Sequence, residues 1–130
     1  MIADVARHFG RLDVVVNNAG IVPLSDISDD AGFEAEWERG LNVNLTAHQR
    51  VIRASLPFLR RAPAGRIVNV ASIEGLGASR GQLIYTVTKS AVVGLTRAFA
   101  IELGRDGITC NCICPGPVDT EMTSFLSAED

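Results

Sequence analysis

Leu12-Asp13-Val14-Val15-Val16-Asn17-Asn18-Ala19-Gly20 is the stretch whose reading decides the fold. A compact, largely β-branched run over 12–16 stops at two asparagines, an alanine and a glycine, the pattern of a buried strand opening into a loop. Two later segments repeat it. Residues 67–71 read as a second buried strand, followed by a Ser/Gly-rich loop over 72–81. Residues 108–113 read as a third, reached through the Asp106-Gly107 turn and stopped by Pro115-Gly116-Pro117. Helical spacing fills the intervals. A short helix over 2–9 carries Ile2, Val5, Ala6 and Phe9 on one face, with Gly10 as its C-cap. After a loop to about residue 30, a helix over 33–61 turns Leu41, Leu45, Val51, Ile52, Ala54, Leu56 and Leu59 inward, and Pro57 bends its last turn. A helix over 83–103 is apolar on more than one face through Ala91, Val92, Val93, Leu95, Ala98, Phe99 and Ile101.

Strands that alternate with helices long enough to cross between parallel neighbours make an α/β layer fold of three parallel strands. Right-handed crossovers place the two long helices, 33–61 and 83–103, on one face of the sheet. Yet Val14-Val15-Val16 and Ile67-Val68 are apolar at successive positions, as in a sheet covered on both faces. The chain itself supplies cover for one.

Composition narrows the function classes. A length of 130 residues with 47% hydrophobic and 21% charged residues suits one globular domain. The net charge of -3 includes no basic stripe, which argues against nucleic acid as a partner. No apolar stretch approaches the roughly eighteen residues of a membrane span, and residues 1–10 lack the apolar centre of a signal peptide, so the expected compartment is the cytoplasm. Cys110, Cys112 and Cys114 alternate along one short segment, which places them on one face if it is a strand. A zinc site usually wants four ligands, so small strand residues are the better reading and no metal is expected.

Tyr85 and Lys89 stand four positions apart on the 83–103 helix, which puts a phenol and an ammonium on one face a turn apart. A cation beside a phenol favours phenolate and suits it to proton transfer. Such a pair arises by chance in many helices, and its surroundings give it weight. Ser72 directly follows the second strand, and α/β folds bind ligands at the carboxyl ends of parallel strands. Asn17-Asn18-Ala19-Gly20 and Pro115-Gly116 occupy the same end of the other two, so three strand ends converge on one crevice.

In order and spacing, Asn17-Asn18-Ala19-Gly20 after an apolar strand, Ser72, Tyr85-Thr86-Val87-Thr88-Lys89 and Pro115-Gly116 with Thr120 resemble the successive motifs of the short-chain dehydrogenase/reductase family. The resemblance covers nearly the whole chain. It implies a partial Rossmann-like, doubly wound fold and an oxidoreductase that uses NAD or NADP on a small carbonyl or secondary alcohol. It also implies roles. Tyr85 is the general acid or base, Lys89 assists it and bonds the nicotinamide ribose, and Ser72 polarises the substrate oxygen. Asn44, in Asn42-Val43-Asn44-Leu45, is the helix asparagine that holds a water between the lysine and solvent. Asn18, Ala19 and Gly20 line the cofactor, with Asn18 bonding to a neighbouring strand or the ribose; Tyr85, Lys89, Pro115, Gly116, Val118 and Thr120 complete its contacts. A homo-oligomer pairing the helices 33–61 and 83–103 is implied as well. Asn17 reads as structural, His8 and His48 as surface or helix-face residues, and Glu74 as a solvated loop carboxylate.

The family pattern further implies a strand, a glycine-rich turn and a helix ahead of the 12–16 strand to hold the pyrophosphate, and helices with a last strand after Thr120. Neither lies within these 130 residues. The expectation is one incomplete Rossmann-like segment over 1–130, with an open edge at its first strand, binding cofactor weakly by itself. A non-catalytic oligomerising module and a gene remnant without a stable fold remain as other readings.

Overall fold

The computed structural model describes residues 1–24 and 26–118. Helix α1 (Ile2–Phe9) ends at Gly10, whose φ of 73° is the left-handed turn that a glycine C-cap supplies. Strand β1 (Val14–Asn17) follows, and then helix α2 (Asp30–Leu41) begins where the Asp29 carboxylate accepts from the Gly32 N–H. Residues Asn42–Thr46 form a π-helical turn that runs straight into α3 (Ala47–Leu59). The single helix expected over 33–61 is thus one rod with a widened turn in its middle. Strand β2 (Arg66–Val70), a 3₁₀ turn (Ile73–Gly75), α4 (Leu83–Leu103), a second 3₁₀ turn (Gly104–Asp106) and β3 (Thr109–Ile113) complete the described chain.

The strands form one parallel sheet in the order β1-β2-β3, with Val15 opposite Ile67, Ile67 opposite Cys110 and Asn17 opposite Asn69. β1 is an edge, as expected. Both β1 and β2 lie a residue or two away from their expected limits: Leu12 precedes β1, Asn17 belongs to it, and Ala71 lies just past β2. The α/β class, the parallel strands and the two long helices on one face hold. Val15, Ile67 and Cys110 face Ile52 and Leu59 of α3 and Leu103 of α4, and Leu12, Phe99 and Ile108 join this cluster. Burial of an apolar side chain of this size contributes about 1.5–3 kcal/mol. The opposite face is open, with Val14 52%, Val16 58% and Ile113 51% exposed.

Each strand and the central helix change character along their length. The inward positions run from Val15 to Asn17 in β1, from Ile67 to Asn69 in β2 and from Cys110 to the half-buried Cys112 in β3. The buried stripe of the central helix runs the other way, through Leu59, Ser55, Ile52, His48 and Asn44. These four gradients point to the carboxyl end of the sheet, where the mixed buried stripe of α4, Leu103, Thr96, Val92, Lys89, Thr88 and Ile84, adds Lys89 and Thr88. Buried polar groups are costly unless paired, and the two strand asparagines are paired: Asn17 Nδ2 donates to Asn69 Oδ1 at 2.8 Å, and Asn69 Nδ2 to Thr96 Oγ1 at 2.9 Å.

One expected inward position is corrected: Ala54 is exposed. On α4, Ala98 and Ile101, named for its second apolar face, are exposed too, Ile101 by 81%. On the central helix the buried stripe passes through residue 55 rather than 54. On α4 the second apolar face meets nothing within the described chain.

Candidate active site

Lys89 organises the carboxyl end of the sheet. It is 3% exposed, and its Nζ donates to the Val70 carbonyl at 2.9 Å, where β2 ends. The same ammonium lies 5.5 Å from the centre of the Tyr85 ring, one helical turn back. A Cβ on Gly20 would stand 3.3 Å from Nζ, so the loop after β1 comes this close because position 20 has no side chain. Burial holds the lysine below the usual ammonium range, partly opposed by Cys112 and Cys114 nearby.

Asn44 fastens the same loop from the π-helical turn. It is fully buried; its Oδ1 accepts from Ile21 N at 2.9 Å, and its Nδ2 donates to Ile21 O at 3.0 Å and to Thr88 Oγ1 at 3.1 Å. One side chain thereby satisfies both backbone groups of Ile21 and ties them to α4. Asn42, two residues earlier, is exposed. π-helical turns inside α-helices frequently mark functional sites, and this one carries Asn44.

Ser72 is 8% exposed, and its Oγ accepts from Glu74 N at 3.2 Å, capping the 3₁₀ turn. That turn is pressed onto α4: a Cβ at Gly75 would fall 2.7 Å from the Lys89 carbonyl oxygen. On its other side Ile73 N donates to Pro115 O at 3.0 Å and Ala71 N to Ile113 O at 2.8 Å, so the segment after β3 is bonded to the segment after β2. The loops around Gly20, Ser72 and Pro115-Gly116 are therefore joined, directly or through Lys89 and Asn44. Tyr85 is half-buried, and its hydroxyl makes no hydrogen bond among the described residues. Asn18, Ala19 and Val118 are exposed, and Thr120 lies outside the described residues.

Three sequence-based expectations change here. The bond to the neighbouring strand is made by Asn17, not Asn18, because the odd positions of β1 point inward. Glu74 is not a free solvated carboxylate: it accepts from Ser79 N and Oγ and from Thr86 Oγ1, which lace the 72–82 loop to α4 and hold its carboxyl below the usual range. His48 is not a surface residue. It is 2% exposed, and its Nε2 lies 3.4 Å from the Ala19 carbonyl. Burial pushes its imidazole below the ordinary value, the Ala19 carbonyl opposes this and Lys89 adds to it. The signal for His48 was present in its spacing, four residues past Asn44 and four before Ile52.

The three cysteines are free thiols. Cys112 Sγ lies 4.0 Å from Cys114 Sγ, and burial pushes Cys110 up to about 11. Two hollows lie away from Lys89. One of about 320 Å³ is lined by Arg11, Asp13, Phe58 and Arg61 at the far end of β1, and another of about 630 Å³ by Leu24, Asp26, Ile27 and Arg80. No helix among the described residues is long and apolar enough to cross a membrane.

Known proteins share both the sequence and this arrangement. A 3-alpha-(or 20-beta)-hydroxysteroid dehydrogenase of Mycobacterium tuberculosis is 48% identical over 91% of this chain and 45% of its own length. A D-beta-hydroxybutyrate dehydrogenase of Rhizobium meliloti is 41% identical over 94% of this chain and 46% of its own. Among solved structures, ligand-free aldohexose dehydrogenase of Thermoplasma acidophilum superposes with a TM-score of 0.87 at 30% identity, covering 94% of this chain and 47% of that one. ElxO with NADP bound gives 0.84 at 34% identity, covering 92% and 48%. The chain thus spans about half the length of the relatives it matches. With residues 1–130 matching the short chain dehydrogenase family throughout, the chain belongs to that family.

Proposed function

We propose that the chain carries the reacting groups of an oxidoreductase that uses NAD or NADP to interconvert a carbonyl and a secondary alcohol. The observation that carries this reading is Lys89: a buried ammonium, fixed by Val70 O, beside the Tyr85 ring and the glycine of the Asn18-Ala19-Gly20 loop. Burying an ammonium is expensive, and placing it next to a phenol is one arrangement in which its charge serves proton transfer. The mycobacterial and rhizobial relatives are both named for hydroxyl-bearing substrates, and ElxO holds NADP.

The residues fit a nicotinamide cofactor. Position 20 admits close backbone approach, and Asn18, Ala19, Gly20, Tyr85, Lys89, Pro115, Gly116, Val118 and Thr120 are the residues we assign to holding it. When bound, that cofactor supplies or takes up the hydride. Tyr85 gives a proton to the carbonyl oxygen in reduction and removes it from the alcohol in oxidation. Lys89 favours the phenolate left behind. Ser72 already accepts from Glu74 N, so its own proton is available to donate to the substrate oxygen. Asn44 acts as a positioning residue, holding Ile21 and Thr88. With both Nδ2 protons engaged, Oδ1 keeps one lone pair for the relay water that the family pattern implies.

We assign the 130-residue polypeptide weak cofactor affinity on its own, because no glycine-rich phosphate turn lies within it and β1 is an open edge. Pairing of two copies through α4 is supported by its exposed stripe of Leu83, Val87, Ser90, Gly94, Arg97 and Ile101. The test is a backbone NMR titration with millimolar NADH and NADPH. Shifts concentrated at Asn18, Gly20, Lys89 and Gly116 support the reading; shifts confined to other surfaces, or none, reject it.

A further inference from the structure

His48 takes no part in the mechanism above, yet it is sealed against the loop that the mechanism needs. The imidazole sits on α3 one turn past Asn44, and the two side chains grip consecutive parts of the same loop: His48 faces Ala19 O, and Asn44 holds Ile21 N and O. Its Nδ1 is buried with no hydrogen-bond partner among the described residues. With the proton on Nε2 the ring is neutral, donates to Ala19 O, and leaves only a lone pair unmatched at Nδ1. A second proton changes that. It would place an N–H donor where no acceptor lies and a positive charge where solvent does not reach.

The surroundings add to the penalty. The 18–21 loop offers carbonyl and amide groups without charge, the π-helical turn offers the neutral Asn44, and α4 offers the Lys89 ammonium. Among the described residues, Lys89 is the charged group whose field acts on the ring, and it repels a cation. The group that could relieve a protonated His48 is water, which reaches it only if the loop lifts from α3.

We propose that His48 is a positioning residue that, as the neutral imidazole, latches the Asn18-Ala19-Gly20 loop onto α3, and that a proton taken up in mild acid unlatches it. The inference rests on the proposed cofactor role of that loop for its significance, but the latch itself is a property of this chain. Its sign follows from linkage. The ring binds its proton less readily in the latched state than in the open one, so the latch is complete above the ordinary histidine value and weakens as pH falls below it.

The test is amide hydrogen exchange at Gly20 and Ile21, corrected for the intrinsic pH dependence. In the wild-type chain the protection of Ile21 N–H should fall about tenfold or more between about pH 7.5 and about pH 5. His48→Gln keeps a donor for Ala19 O without a titrating ring, and its protection should be flat over that range. His48→Phe removes the donor and should show low protection at both ends; if it does not fold, the wild type and His48→Gln decide. Flat wild-type protection, or an acid loss in His48→Gln equal to that of the wild type, overturns the latch. Cofactor titration at about pH 7.5, where a histidine is ordinarily neutral, reports separately on the proposed function, since a latched loop that binds no nicotinamide would reject that reading alone.

Discussion

Replacing Asn44 by alanine is the sharpest test of how the site end of the fold is held together. The change deletes three hydrogen bonds, to Ile21 N, Ile21 O and Thr88 Oγ1, at a residue with no exposed surface. Each is worth about 1 kcal/mol net, and the groups left behind are shielded from water, so the loss is about 3 kcal/mol. Alanine is the better helix former by roughly half a kcal/mol, which blurs a single measurement. Asn42→Ala supplies the reference, because Asn42 lies in the same π-helical turn, is exposed, and takes the same propensity gain without the losses. The difference between the two variants should therefore be about 3 kcal/mol. At about 4 °C per kcal/mol for a chain of this size, that separates their melting temperatures by about 12 °C. Thermal and urea unfolding followed by circular dichroism measure it. If Asn44→Ala melts within about 4 °C of Asn42→Ala, which is about 1 kcal/mol, the side chain does not fasten the loop and the site geometry built on it fails.

Other expectations follow from the same contacts. Gly20→Ala would set a Cβ 3.3 Å from Lys89 Nζ and 3.4 Å from Asn44 Oδ1, two atoms tethered elsewhere, and should destabilise by about 1 kcal/mol; a variant more stable than wild type in urea would show that the neighbours yield. For Cys110, burial raises the thiol from 9.0 to about 11, so the unfolded chain ionises first and native stability falls as pH rises across that window. Lys89 acts in the opposite sense, its lowered value making stability rise as pH approaches 10.5. Burial also raises the Cys112 thiol, so Cys110→Ala should weaken the alkaline decline without abolishing it and keep the rise, and unfolding curves from pH 9.0 to about 11 that are parallel to wild type would contradict this. In a chain that turns over, Tyr85→Phe should lower the rate by roughly a hundredfold or more with cofactor affinity unchanged, because only the transferable proton is lost. Equal turnover, followed at the nicotinamide absorbance, rejects the acid–base role.

The legibility of the sequence differed between the two ends of the sheet for a physical reason. Val15, Ile67, Ile52 and Leu59 are inside because they are apolar, and apolar periodicity is what a sequence displays most openly. At the other end Ala71 and Ile84 are buried beside a set of inward polar positions, Asn17, Asn69, Asn44, His48, Thr88, Lys89 and Thr96. Residues of these types are ordinarily exposed, so His48, which matches no catalytic or metal spacing, read as a surface or helix-face residue. What keeps them inside is mutual pairing, Asn17 to Asn69 to Thr96 and Asn44 to Ile21 and Thr88, and pairing is a property of coordinates. Short motifs singled out Ser72, Tyr85, Lys89 and Asn44 as candidates, but gave no sign that Asn44 bonds backbone or that Glu74 laces a loop.

The same contrast explains why the polar end needs a widened helical turn. A regular α-helix through 41–59 repeats its face every 3.6 residues, and the π-helical turn at Asn42–Thr46 changes that phase just where the buried stripe passes from Ile52 and His48 to Asn44. The apolar positions Leu45, Val51 and Leu56 end up half-buried beside the stripe, while Asn44 comes to face Ile21 and Thr88. Removing one residue from the turn would restore regular phase and swing either Asn44 or His48 off the 18–21 loop. The loss should then register first in the exchange protection of Ile21 and later, if at all, in the apolar cluster around Ile52 and Leu59, because the two ends of the sheet are held by different forces.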